Sequence, residues 1–196
     1  MAIFRALGVN SETERQKDDF YSTDPKAVES LIRFLKDNNI EIPYQIVESS
    51  VGMGHIAKVF EDEGHNVTGY DIVDRGWHDT IVADYLLVDR LPECCNNGCM
   101  IVENTPFKHS VEFISHGMDL INDGDYICSL QKIQFLESER RKEFFEKYPP
   151  KYVCVFSKRT NTYRDGAMDK YKSSTMCFAW FIFQKGYNGD TVVKWI

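Results

Sequence analysis

Over residues 25–38 the apolar positions Ala27, Val28, Leu31, Ile32, Phe34 and Leu35 recur at helical spacing, behind a Ser-Thr-Asp cap and a proline in the first turn. The pattern predicts an amphipathic helix. Beyond it, short apolar runs of strand length alternate with helical stretches. Strands are expected at 45–48, 66–71, 80–84, 100–103 and 126–130, and helices at 55–63, 110–121 and, strongly charged, 137–147. Repeated strand–helix units imply a mostly parallel sheet with helices on both faces.

The last third changes character. Residues 152–156, 176–183 and 191–196 are β-rich, and the link Lys185-Gly186-Tyr187-Asn188-Gly189-Asp190 has turn chemistry, which predicts that the last two runs close as an antiparallel hairpin. The architecture expected is a mostly parallel α/β sheet ending in an antiparallel edge. The polar, unpatterned stretch 1–18 reads as a flexible arm, and residues 19–196 as a single domain. A chain of 196 residues, 43% hydrophobic, is long enough for one substantial core and short for two.

Charge narrows the function. A formal net charge of -7 excludes a protein coated in nucleic acid by bulk attraction, so any such contact is local. No apolar run approaches the roughly 20 residues needed to span a bilayer, and the N-terminus lacks a signal-peptide pattern, so a cytoplasmic protein without membrane contact is expected. Cys128, Cys154 and Cys177 lie in apolar stretches and read as reduced core thiols. Cys94, Cys95 and Cys99, with His109 as a distant fourth ligand, lack a second ligand pair and read as exposed loop thiols, with no metal expected.

The first informative site is Glu48-Ser49-Ser50-Val51-Gly52-Met53-Gly54, which leaves a strand and opens a helix. Its glycines let backbone approach a ligand, and the helix start offers unpaired amides. Asp71 ends the next strand, where a carboxylate can accept from two ribose hydroxyls. These residues describe a nucleoside-cofactor site, although Gly52, Gly54 and Ala57 also fit the dinucleotide pattern G-x-G-x-x-A.

A second site separates the two cofactors. Asn104-Thr105-Pro106-Phe107 directly follows the strand 100–103 and places an amide, a carbonyl and an aromatic ring at the ligand edge. An exocyclic amine is a poor nucleophile because its lone pair is delocalised into the ring. Acceptors on its N–H groups, here the Asn104 side-chain oxygen and the Thr105 carbonyl, localise that pair, while Phe107 stacks on the flat substrate.

Asp19-Phe20-Tyr21-Ser22-Thr23, Glu48-x-x-x-Gly52-x-Gly54, Asp71, Asp84 and Asn104-x-Pro106-Phe107 occur in the order seen in class I DNA N6-adenine methyltransferases, which the chain resembles. Later stretches, among them Tyr163-Arg164-Asp165-Gly166 and Ser174-Thr175-Met176, look like the small enzymes of this kind encoded by phages and prophages. The resemblance implies a Rossmann-like class I methyltransferase fold, with a mostly parallel seven-stranded sheet that has helices on both faces and an antiparallel C-terminal edge, and S-adenosylmethionine as cofactor. It implies that Phe20, Tyr21, Thr23, Glu48, Ser50, Gly52, Gly54, Asp71, Ile72, Asp84 and Tyr85 form the cofactor site, with Asp84 on the adenine amino group. Asn104, Thr105, Pro106 and Phe107 form the catalytic motif. Thr105 departs from the family, which has a proline there that helps aim the carbonyl.

An adenine must be flipped out of a duplex or offered on a single strand, which requires backbone contacts beside the pocket. Within residues 158–174, Lys158, Arg159, Arg164, Lys170 and Lys172 face only Asp165 and Asp169, and Tyr163 and Tyr171 are interleaved. This stretch, with Lys158, Arg159, Tyr163 and Arg164 foremost, is the expected DNA surface. Two alternatives stay open: the same fold acting on RNA or a protein amide, and a decayed domain that binds without turnover.

Overall fold

Asp24 and Pro25 start the first helix as their chemistry demands. The Asp24 carboxylate accepts from Lys26 N (3.0 Å), and proline occupies the position where a backbone N–H has no helical partner. The helix α1, Pro25–Asp37, buries Ala27, Val28, Leu31, Ile32, Phe34 and Leu35, the face set out by the periodicity. This computed structural model describes residues 21–158, 160, 162–164 and 176–196, with Tyr21 and residues 162–164 described by backbone alone. The expected arm, Phe20, Arg159 and most of the basic segment lie outside the described residues.

The remaining elements follow in chain order: β1 (Tyr21–Thr23) before α1, then β2 (Gln45–Glu48), α2 (His55–Asp62), β3 (Asn66–Asp71), β4 (Thr80–Val82), β5 (Met100–Glu103) and α3 (Ser110–Leu120). They continue through β6 (Tyr126–Lys132), α4 (Lys142–Lys147), β7 (Tyr152–Val155), β8 (Thr162–Arg164), β9 (Phe178–Gln184) and β10 (Val192–Trp195). The main sheet has the order β10-β7-β9-β6-β5-β2-β3-β4, and β9 alone runs antiparallel to its neighbours. Strands β1 and β8 form a separate antiparallel ribbon.

Period-two alternation sends one set of side chains to each face. Ile46, Met100, Trp180 and Ile182 pack with α1 and α2, and the Trp180 indole donates to Ala27 O (2.9 Å). Val47, Ile101, Phe181 and Phe183 pack with α3 and α4 on the other face. Because both faces are covered, the central strands read as continuous apolar runs. No helix among the described residues is long and apolar enough to cross a membrane.

Three local expectations are corrected. The C-terminal hairpin does not form: β9 is paired along its length to β6 and also to β7, so it has no free edge. The last strand β10 instead adds in parallel to β7, as an eighth strand. The charged helix starts late, at Lys142: the Arg141 guanidinium occupies the carbonyls of Phe135 (2.8 Å), Gln134 (3.0 Å) and Glu137, and Glu137 O is the acceptor that Arg141 N would use in a helix from 137, whereas Arg141 N donates to Ser138 O (3.0 Å) instead. Among the cysteines, Cys177 is exposed just ahead of β9, whereas Cys95 and Cys99 are buried beneath the sheet face that packs on α3.

Candidate active site

Strand order changes direction at β2. Its crossover through α2 leads outward to β3, while β5 and β6 lie on its other side. In such sheets the carboxyl ends of the two strands at the reversal diverge and leave a crevice. The Glu48–Gly54 turn leaves β2 there, and Asn104 leaves β5.

The turn is held by its own backbone and by Asp71. Val51 N donates to Tyr70 O (2.7 Å) and Gly54 N to Val51 O (2.8 Å), and Gly52 N donates to Asp71 Oδ2 (2.9 Å). The other Asp71 oxygen accepts from Val73 N (3.1 Å). Asp71 therefore stands beside the turn, as a ribose-binding carboxylate would, but each of its oxygens already holds one backbone amide. Ile72 next to it is 57% exposed and offers an aliphatic surface.

Gly54 has φ +74°, and a Cβ there would lie 2.1 Å from Trp77 Cδ1. Its missing side chain makes room for the Trp77 indole. Trp77, from the loop after β3, packs across Gly54 and Gly69 into the α1–α2 core.

Asp84 and Tyr85 diverge. Asp84 is exposed and accepts from Leu86 N (3.0 Å) at the start of a short turn. Tyr85 is 1% exposed, stacked on Phe113 and tilted against Tyr70 on the α3 side of the sheet, packed into the core. Burial pushes its phenol well above the ordinary range.

Asn104 is gripped from two sides. Ser50 Oγ donates to its backbone carbonyl (3.3 Å), and its side-chain nitrogen donates to Thr23 Oγ1 (3.1 Å). The structure thus joins Thr23, Ser50 and Asn104, which are widely separated in sequence. Thr105 is 2% exposed and its hydroxyl has no hydrogen-bond partner among the described residues. Pro106 O accepts from His109 N (2.8 Å), turning the chain into α3. The Phe107 ring is half-buried, with Phe178 at 6.0 Å between centroids and Lys132 Nζ 4.6 Å over its face.

Beneath these residues runs a buried polar chain that the sequence reading missed. Glu103, fully buried, accepts from Ser49 Oγ (2.7 Å) and Ser129 Oγ (2.8 Å). Ser129 accepts from Gln131 Nε2 (2.8 Å), and Gln131 Oε1 accepts from Ser110 Oγ (2.7 Å). Burial lifts the Glu103 carboxyl to about 7 against the two hydroxyl donors that favour its ionised form. Glu48, also buried, accepts from Ala57 N (2.9 Å), and desolvation, opposed by that bond, raises it well above a normal carboxylate. The only cue was positional: Glu103 ends an apolar strand and immediately precedes Asn104.

On the substrate side, Lys158 is exposed after β7. The backbone of Tyr163 and Arg164 lies in β8, paired with Ser22 and Tyr21 of β1. Among the described residues no group of His, Cys, Asp or Glu is arranged to hold a metal ion.

No family model matches the chain, and no curated protein matches it. Its fold has relatives. A Listeria monocytogenes structure described as a class I S-adenosylmethionine-dependent methyltransferase superposes with a TM-score of 0.61 at 13% identity, covering 89% of this chain and 65% of that one. A Pyrococcus horikoshii structure described as an RNA methyltransferase gives 0.62 at 12% identity, covering 89% and 90%. A Vibrio vulnificus structure, described as a modification subunit of a type I restriction enzyme, gives 0.56 at 12% identity and covers 88% and 45%. What these proteins share with the chain is the fold, that of the class I S-adenosylmethionine-dependent methyltransferases.

Proposed function

We propose that the protein is an S-adenosylmethionine-dependent N-methyltransferase whose acceptor is the N6 amino group of adenine in DNA. The observation that carries this reading is Asn104 at the carboxyl end of β5, gripped by Thr23 and by Ser50 of the neighbouring turn. An amide oxygen and the next backbone carbonyl at that edge are the acceptors an amine needs to sharpen its lone pair.

The residues around the turn fit the cofactor. Burial holds Glu48 and Glu103 towards their protonated forms, and neither has a basic partner among the described residues, so the counter-charge that would ionise them is one a cationic methionine end brings and a pyrophosphate does not. Ile72 offers an apolar surface for an adenine ring, and Asp71 keeps unused lone pairs for ribose hydroxyls. S-adenosylmethionine supplies an activated methyl group on a sulfonium centre. Asn104 and Thr105 hold the acceptor nitrogen, Phe107 stacks on its ring, and the alkylated nitrogen loses its proton to water without a strong base.

DNA is supported by the basic segment after β7 and by the likeness to adenine-specific enzymes in the order of Asp71, Asp84 and the Asn104 motif. Asn104→Ala tests the reading. Methyl transfer is expected to vanish while cofactor affinity, measured by calorimetry, stays within about threefold, the change expected for a group that does not touch the cofactor. Loss of both together, or of neither, contradicts the assignment.

A further inference from the structure

The order of motifs assigns Thr23 to the cofactor, but its side chain is engaged elsewhere. Thr23 is buried, and its Oγ1 lies 3.1 Å from Asn104 Nδ2, across 81 positions of chain. Its backbone is paired to Thr162 of β8, so its position is set by the ribbon.

We infer that Thr23 is a positioning residue that fixes the rotation of the Asn104 carboxamide against the acceptor nitrogen, a conclusion that rests on the proposed role of Asn104. A carboxamide has a donor end and an acceptor end of nearly the same shape, and only the acceptor end can receive an N–H from an amine. With the nitrogen held by Thr23, the oxygen is directed to the opposite side of the group. The Thr23 hydroxyl donates as well as accepts, so what it fixes is the rotation of the group; without it the carboxamide turns freely, and its NH2 facing the substrate's NH2 makes no hydrogen bond. This chain needs such a grip because Thr105 stands where the family carries a rigidifying proline; Ser50 on the carbonyl and Thr23 on the amide hold Asn104 instead.

The ribbon adds a consequence. The ladder that fixes Thr23 also carries Tyr163 and Arg164, read as substrate-binding residues, so disturbing β8 reaches Asn104 through Thr23.

The test compares Thr23→Val, which keeps the shape and removes the acceptor, with Thr23→Ser, which restores it. The first readout needs no substrate: the Asn104 side-chain NH2 resonances, assigned by their loss in Asn104→Asp, are followed by 15N NMR in the full-length protein. In Thr23→Val their solvent exchange is expected to quicken about tenfold, the equivalent of one hydrogen bond, and in Thr23→Ser to return to the wild-type rate. Unchanged exchange and shifts in Thr23→Val overturn the inference.

The second readout is turnover on unmethylated DNA. The expected result is a kcat about tenfold lower in Thr23→Val with KM for S-adenosylmethionine within about twofold, and recovery in Thr23→Ser. An inactive Asn104→Ala beside a fully active Thr23→Val defeats this inference alone. A fully active Asn104→Ala defeats the role of Asn104 and the inference with it.

Discussion

Ser49 donates a hydrogen bond to Glu103 over 2.7 Å, joining the turn after β2 to the residue that precedes Asn104. The two halves of the crevice are therefore tied by one buried carboxylate, whose other oxygen holds Ser129 of β6. A shift of either strand end would move the Glu48–Gly54 turn and the Asn104 motif together.

That carboxylate gives the first prediction. The Glu103 pKa is raised from 4.5 to about 7 in the folded protein, so between these values the folded state keeps a proton that the unfolded chain has released. Its contribution is complete below about pH 4.5 and is lost as pH rises through 7. Glu103→Gln keeps the shape and removes the ionisation. Urea unfolding at pH 5 and pH 8 should show the wild type losing roughly 2–3 kcal/mol more than Glu103→Gln over that interval. Glu48 leaves a residual slope of the same sign. Equal pH dependence in both proteins would show that Glu103 is ionised throughout.

Gly54→Ala should destabilise the fold by roughly 2–4 kcal/mol, from left-handed strain and the contact with Trp77. Adding Trp77→Leu should return about 1 kcal/mol, because the two residues share one space. Strictly additive losses in thermal unfolding would separate them.

Asp71→Ala should weaken S-adenosylmethionine binding by roughly 1–3 kcal/mol, as for a lost charged hydrogen bond. It should also lower thermal stability, since Gly52 N and Val73 N lose their acceptor. Unchanged affinity with lowered stability would reduce Asp71 to a brace for the turn.

A thiol reagent on the folded, reduced protein should modify Cys94 and Cys177 quickly, and Cys95, Cys99, Cys128 and Cys154 only on unfolding. Rapid reaction of Cys95 or Cys99 would contradict their burial.

Much of this was legible along the chain, because the signals were local. Asp24 and Pro25 mark a helix start, the apolar runs mark strands, and Gly52 and Asn104 follow strand ends. What escaped depends on distant partners. The turn residues 185–190 argue for a hairpin, and only the occupied edges of β9 forbid it. Nothing next to Gly54 in sequence announces that Trp77 packs against it. Tyr85 stands among the cofactor-site residues that the resemblance implies, and its burial against Tyr70 and Phe113 depends on the short turn capped by Asp84. Glu103 reads as the polar end of a strand, and its buried hydroxyl partners come from two other segments.

The most direct measurement incubates the purified protein with S-adenosylmethionine labelled in its methyl group and unmethylated DNA, followed by digestion to nucleosides and mass detection. The account predicts label in N6-methyladenine, absent with Asn104→Ala. No label in any nucleoside, with cofactor binding intact, would contradict it.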